Sequence, residues 1–225
     1  MDNILRKEIK YQISFEKYLK LKPRLSALLK YDTHSNEEGY MVRSLYFDTL
    51  ENRDMYDTLY GLEKKHKIRL RIYSIYDSLV KLEWKRKIGT DSQKITFFIS
   101  RNEAETMING DFEFLSLKGD VEANELYRLL IHEVYQPRVV VEYKRIAYEY
   151  PVSNVRICID SNINASLTPF NFFNENCGLI PIISTDMRVL EVKYDDFLPM
   201  MIKEVLSSID ELPQSNSKYV NARML

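Results

Sequence analysis

The chain has 225 residues, with 32 basic and 33 acidic side chains, a formal net charge of −1 and 45% hydrophobic residues. That length fits one domain, residues 1–225, large enough to bury a core without staples. The balanced charge excludes polyanion binding by bulk charge alone, so no nucleic-acid partner is expected and any anion site must come from local arrangement.

In chain order, alternation is the main signal. Residues 6–13 place polar side chains at even positions and, after Lys7, apolar ones at odd positions, which predicts a first strand. Ser14 is expected to cap a helix through Lys20 that Pro23 restarts and that runs to Lys30. Arg43 to Asp48, Lys67 to Tyr73, Val80 to Ile88 and Lys94 to Ser100 read as the next strands. A helix over 100–109, stopped by Gly110, and a second over 124–134 follow. Strands over 138–150 and 154–160 flank a hairpin turn marked by Pro151, Ser153 and Asn154, and Arg188 to Tyr194 is the last strand. A helix over 197–209 closes the pattern, with Asp195-Asp196 read as its N-terminal cap. About eight strands and four or five helices predict an α+β fold built on a closed or strongly curved antiparallel sheet.

Two cysteines, Cys158 and Cys177, supply neither a disulfide framework nor a metal cluster, and a reducing, cytoplasmic setting is expected. The charged start MDNILRKEIKYQIS has no apolar signal core, and no stretch reaches the roughly 20 apolar residues of a membrane span. A soluble chain with no membrane segment is therefore expected. His34, His66 and His132 lack metal-ligand spacing, and Tyr56, Tyr60, Tyr127 and Tyr135 read as packing residues. No G-x-x-x-x-G-K-[ST] or G-x-G-x-x-G loop supports a common nucleotide fold.

The charged faces carry the chemistry. Glu8 and Lys10, Lys67 with Arg69 and Arg71, and Lys81 with Glu83, Lys85 and Lys87 each share one face of a strand, because the side-chain period is two. Tyr143 with Arg145, Arg156 with Asp160, and Glu191 with Lys193 repeat the arrangement later in the chain. A polar face can simply be the solvent side of an antiparallel sheet. Turned inward, the same residues would repel one another unless a polyanion or a metal neutralised them. Guanidinium groups then grip phosphate oxygens in pairs, ammonium groups act as point charges, and a few carboxylates hold a hard divalent cation. Spacing alone leaves open which face is inside.

Eight segments in order carry a resemblance. They are Glu-Ile-Lys-Tyr at 8–11, Ser-Leu-Tyr-Phe-Asp at 44–48, Ile-Arg-Leu-Arg-Ile-Tyr at 68–73 and Glu-Trp-Lys at 83–85. Tyr-Lys-Arg-Ile-Ala-Tyr at 143–148, Val-Arg-Ile-Cys-Ile-Asp at 155–160, Val-Leu-Glu-Val-Lys-Tyr at 189–194 and Ser-Lys-Tyr at 217–219 complete the set. Together they resemble the polyphosphate polymerase domain of the vacuolar transporter chaperone family, a branch of the triphosphate tunnel metalloenzymes, over residues 5 to 220.

The resemblance implies an antiparallel tunnel barrel with helices outside, and transfer of the γ-phosphate of ATP to a polyphosphate chain with Mn2+ or Mg2+. Its implied partners are ATP and polyphosphate or triphosphate. It implies catalytic roles for Arg69, Arg71, Lys85 and Lys218, and phosphate contacts from these together with Lys10, Lys94, Arg145, Arg156, Lys193 and Ser217. Glu191 resembles the metal-binding glutamate, with Glu8 and Glu83 as further candidates. The chain departs from the family's pattern at three places. Arg6 stands where wider tunnel enzymes have the first acid of Glu-x-Glu-x-Lys, Trp84 replaces an arginine, and Ser215 replaces a lysine. Loss of the first acid favours the polymerase branch, or a non-catalytic polyphosphate binder, over a metal-dependent triphosphatase.

Overall fold

The computed structural model describes residues 7–89 and 91–225; Arg6 lies outside them. β1 (Lys7–Ser14) ends where the Ser14 hydroxyl accepts the amide of Lys17 and caps α1 (Phe15–Leu28). Pro23 lies inside α1, so the expected restart does not occur. One lost backbone hydrogen bond is outweighed by Leu21 and Leu25, which are buried on either side of it. Lys30, expected to end the helix, instead begins the short β2 (Lys30–Tyr31). β3 (Tyr40–Asp48), α2 (Arg53–Leu59), β4 (Lys64–Ile72), β5 (Leu79–Ile88) and β6 (Asp91–Ser100) follow.

Ser100 caps α3 (Arg101–Ile108) reciprocally with Glu103, fixing the exit from β6. α4 (Glu113–Ser116) is a single turn, and α5 (Val121–His132) starts three residues before expectation because Asp120 accepts the amides of Glu122 and Ala123. β7 (Gln136–Tyr150) turns into β8 (Val155–Ser166) through Ser153 and Asn154, whose φ values of 52° and 48° lie in the left-handed region. β9 (Ile180–Pro181), β10 (Met187–Tyr194), α6 (Met200–Leu206) and α7 (Lys218–Arg223) complete the order. The residue preceding α6 is Pro199, so Asp195-Asp196 does not cap that helix.

The strands form one sheet in the order β1-β10-β8-β7-β3-β4-β5-β6, with β2 beside β7 and β9 beside β8. The main path therefore holds the eight strands expected, within an antiparallel α+β fold. It ends at β1 and β6, which do not pair with each other among the described residues.

Two compact units divide the chain. One holds residues 1–41, 143–163 and 183–216; the other holds 42–142, 164–182 and 217–225. In the first, Ile13, Leu190, Val192, Ile157 and Tyr148 of the sheet bury against Leu21 and Leu25 of α1 and Ile202 and Val205 of α6. In the second, Ile68, Leu70 and Ile72 of β4 and Val80, Leu82 and Trp84 of β5 pack with Met107, Leu126 and Leu130 from α3 and α5. Each such side chain contributes about 1.5–3 kcal/mol on burial. These residues are the even positions of β4 and β5, so the odd positions form the opposite face.

Candidate functional site

The odd face of β4 and β5 is the first cluster. Register places Arg71 opposite Lys81, Arg69 opposite Glu83 and Lys67 opposite Lys85. β6 continues the rows with Phe98, Thr96 and Lys94, while β3 supplies Ser44 beside Arg71 and Tyr46 beside Arg69. Three lysines thus stand side by side in one row, an arrangement that like-charge repulsion disfavours without an anion nearby.

Glu83 sits at the centre with only 3% of its surface exposed. Arg69 Nε donates to its Oε2 at 2.6 Å, Arg71 Nη1 lies 3.7 Å away, and Lys94 Nζ pairs with Oε1. Burial opposes ionisation of Glu83, but Arg69, Arg71 and Lys94 outweigh it and hold the carboxyl well below the usual range. Arg69 also donates to the Tyr46 hydroxyl at 2.8 Å, and Arg71 Nε donates to Ser44 Oγ at 3.3 Å. Burial raises the Tyr46 phenol, yet Arg69 and Arg71 overcome it and lower the net value. Lys67 donates to Ser217 Oγ at 3.2 Å, and Ser217 in turn caps α7, whose first residue is Lys218.

The second cluster lies on β1, β10 and β8. Glu8 pairs in register with Lys193 and Lys10 with Glu191, so acids and bases alternate across the two strands. Lys10 meets Glu8 at 2.9 Å and donates to the Asn216 carbonyl at 3.1 Å; Lys193 bridges Glu191 and, at 3.6 Å, Glu8. Burial and Glu191 push the Glu8 carboxyl up, but Lys10 and Lys193 leave it lowered. Lys193 is held protonated above its ordinary range: burial works against this, and Glu191 and Glu8 prevail.

Arg145 and Arg156 have other partners. Arg145 grips the fully buried Asp160 through Nε at 2.7 Å and Nη2 at 2.8 Å, and Arg156 pairs with Asp32. Arg156 and Asp160 both lie on β8 at positions of the same parity, but each pairs with a residue of another element. Counting outward from the Pro151–Asn154 turn sets 145 opposite 160, a signal the hairpin already contained. Beside this strand Gly39, with φ +79°, lies so close to the Arg145 carbonyl that any Cβ would collide with it.

A sequence model of the VTC domain matches residues 5–225. The chain belongs to the VTC domain family. No curated relative matches it. Among solved structures, an adenylate cyclase-like protein from Bacillus halodurans superposes with a TM-score of 0.54 at 15% identity, over 94% of this chain and 96% of that one. The Hippeastrum adenylyl cyclase-like protein HpAC1, for which a dominant triphosphatase activity is described, gives 0.52 at 13% identity over 89% and 84%. The Schizosaccharomyces pombe Mediator head module gives 0.51 at 8% identity over 92% and 97%. At these identities the likeness is one of fold.

Within the VTC domain, the sequence-predicted residues Arg69, Arg71, Glu83, Lys85 and Lys94 fall on one sheet face, and Glu8, Lys10, Glu191 and Lys193 on another pair of strands. Lys67, Tyr46 and Ser44 join the first group. Lys67 was legible as part of the same alternating face, whereas the roles of Tyr46 and Ser44 depend on the register of β3. Trp84 lies on the buried face, its Nε1 donating to His66 Nδ1 at 3.1 Å, so position 84 is not part of the charged row. Tyr135 is buried as expected, but Tyr60 is 70% exposed and stacks on Tyr56.

No group of three His, Cys, Asp or Glu side chains fit to hold a metal occurs among the described residues. The charge of Glu191 nonetheless reaches Glu8 and opposes its ionisation, and both side chains offer hard oxygen donors. One or two carboxylates plus substrate phosphates is the donor set that Mg2+ and similar cations accept, so the pair fits a divalent ion that is completed by phosphate. No helix among the described residues is long and apolar enough to cross a membrane.

Proposed function

We propose that this VTC domain is a polyphosphate polymerase-like enzyme that transfers the γ-phosphate of ATP to a polyphosphate chain. The observation that carries the reading is the row-by-row gathering of Arg69, Arg71, Lys85 and Lys94 around one ionised glutamate, beside Lys67, Ser217 and Lys218. The family match over residues 5–225 supports treating the whole chain as one functional domain.

Phosphoryl transfer asks a protein mainly to position and neutralise its reactants. Arg69 and Arg71 hold phosphate oxygens as planar forks, Lys85, Lys94 and Lys218 serve as point charges, and Ser217 donates a hydroxyl. Lys10 and Lys193 supply further phosphate contacts. A phosphate at Arg145 or Arg156 would share the guanidinium with Asp160 or Asp32. The bond from the γ-phosphorus to the bridging oxygen breaks, ADP leaves, and a terminal chain oxygen forms the new bond. An ionised chain end needs no general base. Glu191 with Glu8 would hold Mn2+ or Mg2+, which when bound offsets charge on the phosphate oxygens; Glu83 is engaged by three cations and is the weaker candidate.

A metal-dependent triphosphatase is the second reading, favoured by the activity described for HpAC1. The small number of carboxylates beside so many cations supports the polymerase over it. Cys158 and Cys177 are both buried free thiols, compatible with a cytoplasmic setting. Incubating pure protein with ATP and Mn2+ and resolving the products on a gel tests the reading. A lengthening polyphosphate ladder supports it, released phosphate alone selects the triphosphatase, and binding without turnover leaves a polyphosphate-binding module.

A further inference from the structure

We propose that Tyr73, Lys81 and Phe98, at one end of the charged face of β4–β6, form a docking site for the base of a nucleoside triphosphate. The inference rests on the reading that this face binds the triphosphate of ATP, and adds which side chains meet the base.

Phe98 is the observation that asks for an explanation. β6 sends Ile95, Phe97 and Ile99 toward the core, while Ser92, Lys94, Thr96 and Phe98 pair into the charged face. Of those four, Phe98 alone is apolar, and 58% of its surface is exposed. Tyr73 follows the end of β4 with the same parity as Arg71 and is 38% exposed. Lys81, opposite both Arg71 and Phe98 in register, stands between the two rings. Its ammonium lies 4.8 Å from the Tyr73 centroid and 5.8 Å from that of Phe98, and 3.4 Å from the Tyr73 hydroxyl. A lone exposed ring is unremarkable on a protein surface. Two rings flanking a cation at the end of a phosphate-binding row are a different arrangement.

The order of groups along the face matches the order of groups in the ligand. Same-face residues are two positions apart, so each row is displaced by roughly 7 Å and the row of Phe98 lies roughly 13 Å from the row of Lys85 and Lys94. Arg71 shares the row of Phe98, and Arg69 stands in the row between. A nucleoside triphosphate has a flat π surface at one end and an anionic chain at the other, joined by a sugar. With the base on Phe98 or Tyr73, Lys81 faces the first phosphate, and the arginines and lysines face the rest. Stacking on aromatic rings tolerates any base, so the site reads the presence of a base and not its identity.

The test is calorimetry with two ligands, tripolyphosphate and a non-hydrolysable ATP analogue, on wild type, Phe98→Ala, Tyr73→Ala and Phe98→Tyr. Phe98 is exposed, so its replacement leaves the fold intact, and a thermal melt checks this. Loss of one stack should weaken the ATP analogue roughly 5- to 100-fold, leave tripolyphosphate within about twofold, and be rescued by Phe98→Tyr. An ATP-analogue affinity that Phe98→Ala and Tyr73→Ala leave unchanged, or that falls in step with tripolyphosphate, overturns the base site while the triphosphate reading stands. Wild-type protein that binds neither ligand removes that reading, and the base site with it.

Discussion

Tyr219 donates its hydroxyl to Asp48, so the residue next to Lys218 is tied to the end of β3. Asp48 is fully buried, and its two oxygens also accept the amides of Thr49 at 2.8 Å, Asp54 at 2.9 Å and Met55 at 3.0 Å. One carboxylate thereby holds both the start of α2 and the C-terminal Ser-Lys-Tyr segment. Tyr46 stacks on Tyr219 with ring centroids 4.9 Å apart, and Tyr46 is the partner of Arg69.

Removing this carboxylate should be costly. Asp48→Ala strands three amides and a phenol, and a loss on the order of 4 kcal/mol is expected. Tyr219→Phe keeps the stack and removes one charge-assisted hydrogen bond, for about 1.5–3 kcal/mol. Urea unfolding of both variants measures the difference, and equal losses would mean that the tyrosine is the main link.

Asp54 gives the fold a pH dependence between about pH 4 and pH 8. It is 1% exposed and accepts a hydrogen bond from Tyr135 at 3.0 Å. Burial, and then the charge of Asp48, push its carboxyl up to about 8. A folded value above the unfolded one means the folded state holds the extra proton between them. Stability from this group is full below about pH 4 and is lost as pH rises through about 8, by at most roughly 1.4 kcal/mol per pH unit. Asp54→Asn should flatten that slope, so its stability relative to wild type should rise between pH 5 and pH 9. Parallel curves for the two proteins would show that Asp54 stays ionised in the fold.

Much of this was legible in the sequence, for reasons that differ by element. β4 alternates from Lys67 to Ile72 and β5 from Val80 to Lys85, so their charged row is visible in the sequence itself. Ser14 and Ser100 announce their helices because a cap acts on residues next to it. α2 escaped because its first amides are capped by Asp48, several residues away across a turn. α7 escaped because Ser217, read as a phosphate contact, is also that helix's cap. Periodicity could not tell that Glu83 is buried among cations while Lys85 on the same face is exposed, since that depends on which side chains the neighbouring strands contribute.

Glu83 should behave as a stand-in for the anion that its neighbours are arranged to meet. Glu83→Gln leaves Arg69, Arg71 and Lys94 without their shared carboxylate, and a destabilisation on the order of 3 kcal/mol is expected. Tripolyphosphate should restore more stability to this variant than it gives wild type, because it binds only the folded state and replaces the missing charge. The acid side carries a second signature. A carboxyl held below its usual range contributes stability above about pH 4 that is lost as pH falls further, and the variant should lack this component. Thermal melts from pH 3 to pH 7, with and without tripolyphosphate, read both effects.

Under the proposed function, replacing Glu191 should separate catalysis from binding. It pairs with Lys193, lies 6% exposed and stands opposite Lys10 in register, with Glu8 diagonal to it. Replacing it by Gln keeps the size and the hydrogen-bonding capacity but removes a charge that a divalent cation needs. Phosphoryl transfer should fall by tenfold or more at a fixed Mn2+ concentration, roughly the loss of one 1.4 kcal/mol interaction or greater. Tripolyphosphate binding should survive or strengthen, because one repelling carboxylate is gone. Arg69→Ala should instead damage binding and turnover together, since the proposed role of that guanidinium is to hold phosphate in the ground state as well as during transfer. Turnover that Glu191→Gln leaves unchanged across a Mn2+ titration would assign the cation to Glu8 alone or to Glu83, and the same titration on Glu8→Gln and Glu83→Gln then decides between them.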